Sequence, residues 1–506
     1  MHIGVPSSRA VVVTPKAAAK RRRPSEPRIA DVPCTHGRSL SQRQPVPRDV
    51  SSQSAPSWWQ ERAATRFPQP ERPSLEGDQQ ADIVIVGAGF TGLWSAIRLA
   101  ELEPSQRIVV LERETVGFGA SGRNGGFAMT MVTRSIHDLV RKVGPVAAGR
   151  VHAAMVETLS EIEAFCGAEG IDADVTRPGL LTVSNGPEQD VRIRQDLDAS
   201  SRLGLDDITP LNAAECRALV AASGVRCGHY EANALLVDPA ALALGLARAA
   251  ERRGVAIFER TALVRAQGTG SGVLMRTPTG SVRADRALLA TNAYAHAIPR
   301  IRRFLFTICA YIVCTEPLTA AQWDRVGWKR RMGIEDRRVM PHFHRPTADG
   351  RILWGGRDAP VSPIGPDPLR DQDLRIFARL EETFRLTFPQ LDDVRITERW
   401  GGPVGATVHC LPNVGWLHTG RLAYALGYGG HGVGPSALLA RVAVDLLLER
   451  DTEWLTLPFV TRRPMRLPPE PLRWPLLNGA QRVLQAADDR GGARGPLGRG
   501  LIRLLQ

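Results

Sequence analysis

The apolar run Ile83, Val84, Ile85 and Val86 is followed by glycines and then by Leu93, Ala96, Ile97 and Ala100 at helical spacing. A short continuous apolar run bounded by glycine predicts a buried strand over 82–86, and the period-3.6 pattern behind it predicts a helix to residue 100. A second apolar run predicts another strand over 107–111. Helical spacing returns over 136–165, 189–203, 239–253 and 436–448. Between these stretches lie short β-like runs at 179–183, 255–258, 273–277, 287–290, 306–315 and 351–354. Turn residues such as Ala348-Asp349-Gly350 separate the runs of 306–354, which predicts antiparallel pairing there. The order fits an α/β domain carrying an inserted antiparallel-sheet domain.

The chain has 506 residues, 43% of them hydrophobic and 23% charged, enough to bury a large core. Its net charge of +13 suggests a nucleic-acid partner only until it is located. The excess sits in residues 1–56 and 461–506, and the body between them is formally neutral, with no basic stripe for a nucleic-acid face. The first segment is rich in Ser, Pro, Arg and Gln without periodicity and reads as a disordered basic extension. The last reads as a solvated basic tail, partly helical. Seven cysteines form no CxxC pair, so neither a zinc site nor a disulfide framework is implied, and a reducing cytoplasm is expected. No apolar stretch reaches the length of a transmembrane helix.

The first strand, turn and helix contain Gly87-Ala-Gly89-Phe90-Thr91-Gly92. In such a unit the first glycine permits the tight turn, the second lets backbone approach a pyrophosphate, and the third allows helix to pack closely on strand. The free N–H groups of the helix start favour an anion. The second strand ends at Glu112, an acid placed to accept hydrogen bonds from ribose hydroxyls. A lone GxGxxG is weak evidence, but strand, turn, helix, strand and acid in this order specify a dinucleotide site. There is no second such unit for NADPH, because Gly268-Thr-Gly-Ser-Gly272 reads as a hairpin turn. Electrons must therefore come from an organic substrate.

The loop GFGASGRNGG over 117–126 resembles that of the D-amino-acid oxidase family of flavoproteins, and within it the γ-glutamylputrescine oxidoreductase group. The strand and turn ALLATNAY over 287–294, the hairpin PHFHRPTADGRILWGG over 341–356 and LAYALGYGGHGV over 422–433 carry the same resemblance. It implies an FAD-binding Rossmann-like fold of the glutathione-reductase type. The FAD-binding parts would lie near 80–165, 225–300 and 400–450, and the substrate-domain parts near 170–225 and 300–400, within a body of 57–460. The implied FAD contacts are Gly87, Gly89, Phe90, Thr91, Gly92, Glu112 and Arg113 in the first unit, and Gly119, Ala120, Ser121, Asn124, Gly125 and Gly126 in the loop. Leu263, Thr291, Asn292, Gly429, Gly430, Gly432 and Val433 complete the set.

Three residues are candidates for catalysis. Arg123 reads either as a partner of flavin or of a substrate carboxylate, or as half of a surface ion pair. His431 reads either as an electrostatic group beside the flavin pyrimidine or as a loop-shaping residue. His342 and His344 share one face of an alternating strand and Arg345 takes the other, so at most one face reaches the ring; His344 is the candidate, against a reading as strand surface. By comparison with related sarcosine oxidases, Trp354 stands where a lysine near oxygen is expected. Val404 stands near their flavin-linking cysteine, which implies non-covalent FAD. The expected reaction is oxidation of an amine or amino acid at its C–N bond by hydride transfer to flavin N5, giving an imine that hydrolyses, with oxygen or another acceptor taking the electrons. The alternatives are a dehydrogenase of amino or hydroxy acids feeding a quinone or carrier protein, and a non-catalytic flavin-binding subunit.

Overall fold

In the computed structural model, residues 55–132, 135–268, 271–418, 420–460 and 464–489 are described. The expected disorder of the N-terminal extension therefore falls, for residues 1–54, outside the described residues. Order begins with the helix Trp58–Arg66, whose N-cap Ser57 forms a capping box with Gln60. Ser57 Oγ also donates to Gly122 O at 2.6 Å, so this first helix is tied to the glycine-rich loop.

Two sheets organise the body. The first has eight strands, with Gly77–Val86 between Gly280–Leu289 and Ile108–Leu111, all three parallel. Ala256–Phe258 extends it on one side and Leu422–Leu426 on the other, again parallel. Parallel strands need covering on both faces. Helices Phe90–Leu102, Pro239–Arg252 and Val433–Leu447 supply one cover, in a core holding Ile83, Ile85, Leu93, Leu242 and Leu439. The other face buries Val84, Val86, Val109 and Leu289. The strands Arg265–Gly268 and Val273–Arg276 pair antiparallel, as a hairpin around 268–272 requires.

The second sheet has nine strands, mostly antiparallel, running in space from Val361–Ser362 to Ile208–Asn212. Register partners share a face, so the sheet can be read in rows. One row is Val313, Trp354, His344, Ile334 and Leu181. It packs on the helix Leu374–Thr387 through Phe377, Phe384 and nearby Phe388, in a fully buried core. The neighbouring row, Ile312, Gly355, Phe343, Glu335, Thr182 and His229, takes the opposite face.

Two expectations are corrected here. The helix expected over 136–165 is two helices, Ile136–Val143 and Pro145–Ala168. Gly144 takes φ +83°, which ends the first helix, and Pro145 starts the second at a position where its missing N–H costs nothing. The C-terminal segment is not simply a solvated tail. Its helix Arg473–Asp489 docks on the second sheet, where the Asp488 carboxylate accepts from the amides of Val339 at 3.0 Å and Met340 at 2.9 Å. Gln481 accepts from Val361 N at 3.1 Å.

Candidate active site

A cleft of about 300 Å³ opens between the two sheets, and the glycine turn forms one of its walls. Gly87 has φ +105°, a conformation that side-chain-bearing residues avoid, and a Cβ there would lie 2.8 Å from Ala290 O. Gly92 is on the helix side, where a Cβ would lie 1.9 Å from Gly87 O. Helix and turn therefore touch backbone to backbone. The helix start carries no side-chain cap of its own, since its N-cap is Gly89. Ser121 of the loop takes that place, its Oγ accepting from Phe90 N at 2.9 Å.

Glu112 ends the second strand at the mouth of this turn. Its carboxylate accepts from Ala88 N at 2.7 Å and from Glu114 N at 3.0 Å. Burial pushes its pKa up, and these amide bonds oppose the shift. Each oxygen keeps a lone pair for a further donor in the cleft.

The loop of 117–126 is held from several sides. Gly117 N donates to Ala88 O at 3.0 Å, and Asn124 binds the loop backbone, accepting from Gly126 N at 2.7 Å. Arg345, fully buried, donates to Gly126 O at 3.1 Å and Val237 O at 2.8 Å. Arg123 donates through Nε to Phe118 O at 2.9 Å and through Nη1 to Ala55 O at 2.8 Å and Gly401 O at 3.3 Å. Its Nη2 is buried without a partner. Burial holds this guanidinium below its usual pKa range.

The far wall comes from the end of the first sheet. Asn292, at φ +39°, accepts from Gly427 N at 3.1 Å, and Thr291 Oγ1 is buried with no partner. Tyr428 shares a 2.7 Å hydrogen bond with Thr91 across the cleft. The helix Val433–Leu447 starts at N-cap Gly432, so a second helix N-terminus faces the cleft.

Most predicted contact residues line this space, including Phe90, Thr91, Arg113, Gly119, Ala120, Asn124, Gly125, Leu263, Gly430 and Val433. Gly92, Gly126, Gly429, His431 and His344 do not. Gly92 acts by packing, and Gly429 N bonds to Gly405 O at 3.0 Å. The His431 amide bonds to Tyr428 O at 3.1 Å, and burial lowers its imidazole pKa to about 4, so at neutral pH it carries no charge.

His344 is the clear correction. It stacks on Trp354 with ring centroids 4.4 Å apart and meets Phe388 edge-on at 5.7 Å, on the sheet face turned from the cleft. Strand alternation sends Phe343 into the cleft instead, and puts Gly355 rather than Trp354 on that side. Ala310, Ile312, Gly402, Pro403 and Val404 complete this wall. None of them is among the expected FAD contacts, although 402–404 fall within the expected FAD-binding part of 400–450. The signal available was the run Gly401-Gly402-Pro403-Val404-Gly405 inside the strand Ile396–Thr407, because glycine within a strand marks close approach.

A pH test isolates His344. Its two ring nitrogens have no partner and burial pushes its pKa down to about 3. A histidine with a lowered folded pKa is protonated first in the unfolded chain, so its cost to stability is absent above about pH 6.5 and grows as pH falls. His344→Phe should therefore gain about 3 kcal/mol on the parent between pH 7.5 and 4. Denaturant unfolding of both proteins at the two pH values measures this difference.

Two helix N-termini, an acid at a strand end and a glycine loop around one cleft define a dinucleotide-binding oxidoreductase. The family described as DAO, FAD dependent oxidoreductase, matches residues 82–446, and the chain belongs to it. Gamma-glutamylputrescine oxidoreductase of Escherichia coli is 31% identical over 395 residues, spanning 76% of this chain and 89% of that protein. The probable oxidoreductase OrdL of Haemophilus influenzae is 28% identical, over 75% of this chain and 85% of its own. Glycine oxidase from Geobacillus kaustophilus superposes with a TM-score of 0.65 at 20% identity, covering 76% of this chain and 99% of that one.

The cleft fits FAD. The unpartnered Thr291 hydroxyl, the spare lone pairs of Glu112 and the helix start at Val433 offer polar groups to a dinucleotide, and its glycines leave no Cβ in the way.

Proposed function

We propose that this enzyme oxidises the C–N bond of an amine or amino acid carrying a carboxylate remote from the reacting carbon. The observation that carries this reading is Arg123, a buried guanidinium on the cleft wall with one N–H edge unpaired. Leaving such a group unpaired is costly, and a carboxylate is its natural partner. The likeness to gamma-glutamylputrescine oxidoreductase supports a γ-glutamylated amine as one such substrate.

Bound FAD supplies the two-electron acceptor for the substrate C–H bond. The protein's contribution is placement and electrostatics. Arg123 orients the carboxylate, while Phe343 and Ile312 offer an apolar wall to the carbon chain. Among the described residues, the charged side chains lining the cleft are Glu112, Arg113, Glu114 and Arg123, and no histidine or lysine joins them. The amine therefore enters unprotonated, loses hydride from carbon and a proton from nitrogen, and leaves as an imine. Water then converts the imine to an aldehyde or keto acid, releasing ammonia or an amine. Among the described residues no cysteine lines the cleft, which supports non-covalent FAD, and the six described cysteines are all unpaired, which supports a cytoplasmic setting. Among the described residues no helix is long and apolar enough to cross a membrane.

A second reading sends the electrons to a quinone or carrier protein instead of oxygen. It rests on the sheet wall, where Gly355 offers the cleft no side chain and Trp354 points away.

The test is anaerobic mixing of the holoenzyme with γ-glutamylated polyamines, N-methyl amino acids, D-amino acids and 2-hydroxy acids. At least one amine should bleach the flavin absorbance and yield a carbonyl product; bleaching by 2-hydroxy acids alone would overturn the amine assignment. Oxygen uptake in air separates the two acceptors. Arg123→Lys keeps the charge but loses the planar fork. It should raise KM for carboxylated amines about tenfold, with little change for uncharged analogues.

A further inference from the structure

A second cavity, of about 40 Å³, lies on the cleft-facing side of the nine-stranded sheet. The row that brings Phe343 to the cleft continues through Glu335 and Thr182 to His229, and all three line this cavity. Glu231 joins them from the strand of His229, two residues along and so on the same face. Phe127, edge-on to Phe343 at 5.7 Å, stands beside the row where it leaves the cleft. The space admits roughly three water-sized groups.

Some charges here are matched. Arg337 donates to Asp196 at 2.6 Å and lies 3.6 Å from Asp138, and His152 pairs with Asp207 at 3.2 Å. Two carboxyls are not. Among the described residues Glu231 accepts only from Thr130, through Oγ1 at 2.6 Å and N at 3.4 Å, and Glu335 only from Thr182 Oγ1 at 3.4 Å. Among the described residues neither has a cationic partner within salt-bridge distance. His229 is 7% exposed, and its Nδ1 has no hydrogen-bond partner.

Buried carboxyls without a cation at salt-bridge distance and a buried ring nitrogen without a donor together call for a ligand with several N–H groups and positive charge. We propose that this cavity binds a primary ammonium group, with Glu335, Glu231 and His229 Nδ1 accepting its three N–H bonds. An anion would meet two uncompensated carboxyls. The ammonium belongs either to a free small amine or to the far end of a molecule whose other end occupies the cleft. The inference does not rest on the reaction proposed for the cleft.

The surroundings set the pH dependence. Facing Glu335 are Glu231 and Asp196 from the helix Pro187–Leu203, with Arg337 as the opposing cation, itself 3.6 Å from Asp138 of the helix Ile136–Val143. His152 from Pro145–Ala168 faces Glu231. Asp336 is turned to the other face, against His342 at 3.0 Å. Burial pushes the Glu335 carboxyl up to about 8, and burial lowers His229 to about 4, leaving a neutral imidazole to accept. Ammonium binding near neutral pH must therefore expel a proton from Glu335, so affinity rises with pH.

Isothermal titration of the holoenzyme with methylammonium and 1,4-diaminobutane, with tetramethylammonium as the probe lacking N–H groups, tests this. A primary ammonium should bind roughly tenfold more tightly at pH 7.5 than at 6.5, with proton release seen as a buffer-dependent heat, and tetramethylammonium should not bind. Glu335→Gln preserves shape and the Thr182 contact, and should weaken binding at least tenfold while the flavin spectrum and melting temperature hold. Glu231→Gln provides the second variant. Methylammonium binding that leaves flavin absorbance unchanged assigns a free-amine site. Binding confined to the diamine, with a flavin shift, assigns the far end of a cleft ligand; both results support the cavity. Absence of binding by either amine at every pH, or equal binding by both Gln variants and the parent, overturns it.

Discussion

Gly92→Ala should yield a folded protein that no longer retains FAD. The added Cβ would lie 1.9 Å from Gly87 O and 3.1 Å from Gly87 C, both backbone atoms with no flexible end to move. Relief requires the helix Phe90–Leu102 to move off the strand Gly77–Val86 by more than an ångström. In the proposed reading those two elements present the turn and the helix N-terminus to the cofactor. Overpacking of this kind costs about 1–3 kcal/mol in stability, but the larger loss is in binding, because every donor of the turn is displaced together. Flavin content after gel filtration should fall below about a tenth of the parent, with affinity down by two decades or more, equivalent to about 2.8 kcal/mol. Gly167→Ala is the control: it lies within a helix, a Cβ there meets nothing, and alanine should stabilise by up to about 1 kcal/mol. A Gly92→Ala protein holding its full flavin would show that helix and turn can part without consequence for the site.

Glu112→Ala should weaken FAD binding by roughly 10- to 150-fold, the equivalent of about 1.5–3 kcal/mol for hydrogen bonds to a charged group. The carboxylate has two tasks in the folded protein. It offers lone pairs to the cleft, and it holds the amides of Ala88 and Glu114. Alanine removes both and strands the Ala88 amide beside the cofactor. Glu112→Gln keeps an acceptor for one of these amides and should fall between alanine and the parent. Fluorescence titration of the apoprotein with FAD measures all three. Unchanged affinity in the alanine variant would remove Glu112 from the cofactor site and leave it a purely local role in the turn.

The cofactor half was legible because its determinants are local. Gly87, Gly89 and Gly92 fall within six residues, and the conformational demand at Gly87 and the close approach at Gly92 are properties of a strand-turn-helix that no distant contact alters. Glu112 follows at the end of the next parallel strand, so chain order alone brings it to the turn. The substrate side was not legible, because a strand's alternation defines two faces without saying which is inside. The helix Leu374–Thr387 covers one face of the second sheet with Phe377, Phe384 and, just past its end, Phe388, and that choice, made some 30 residues downstream, buries His344 against Trp354 and turns Phe343 to the cleft. Arg123 stood out as a loop residue, yet its unpaired edge exists only because Phe118, Ala55 and Gly401, from three separate segments, occupy its other donors. The second cavity has the same origin: Glu335, Glu231 and His229 come together through strand pairings that span more than 100 residues. Conformation at a turn is decided by the residues in it, while the facing of a strand is decided by whatever packs on it, and only the folded chain supplies that.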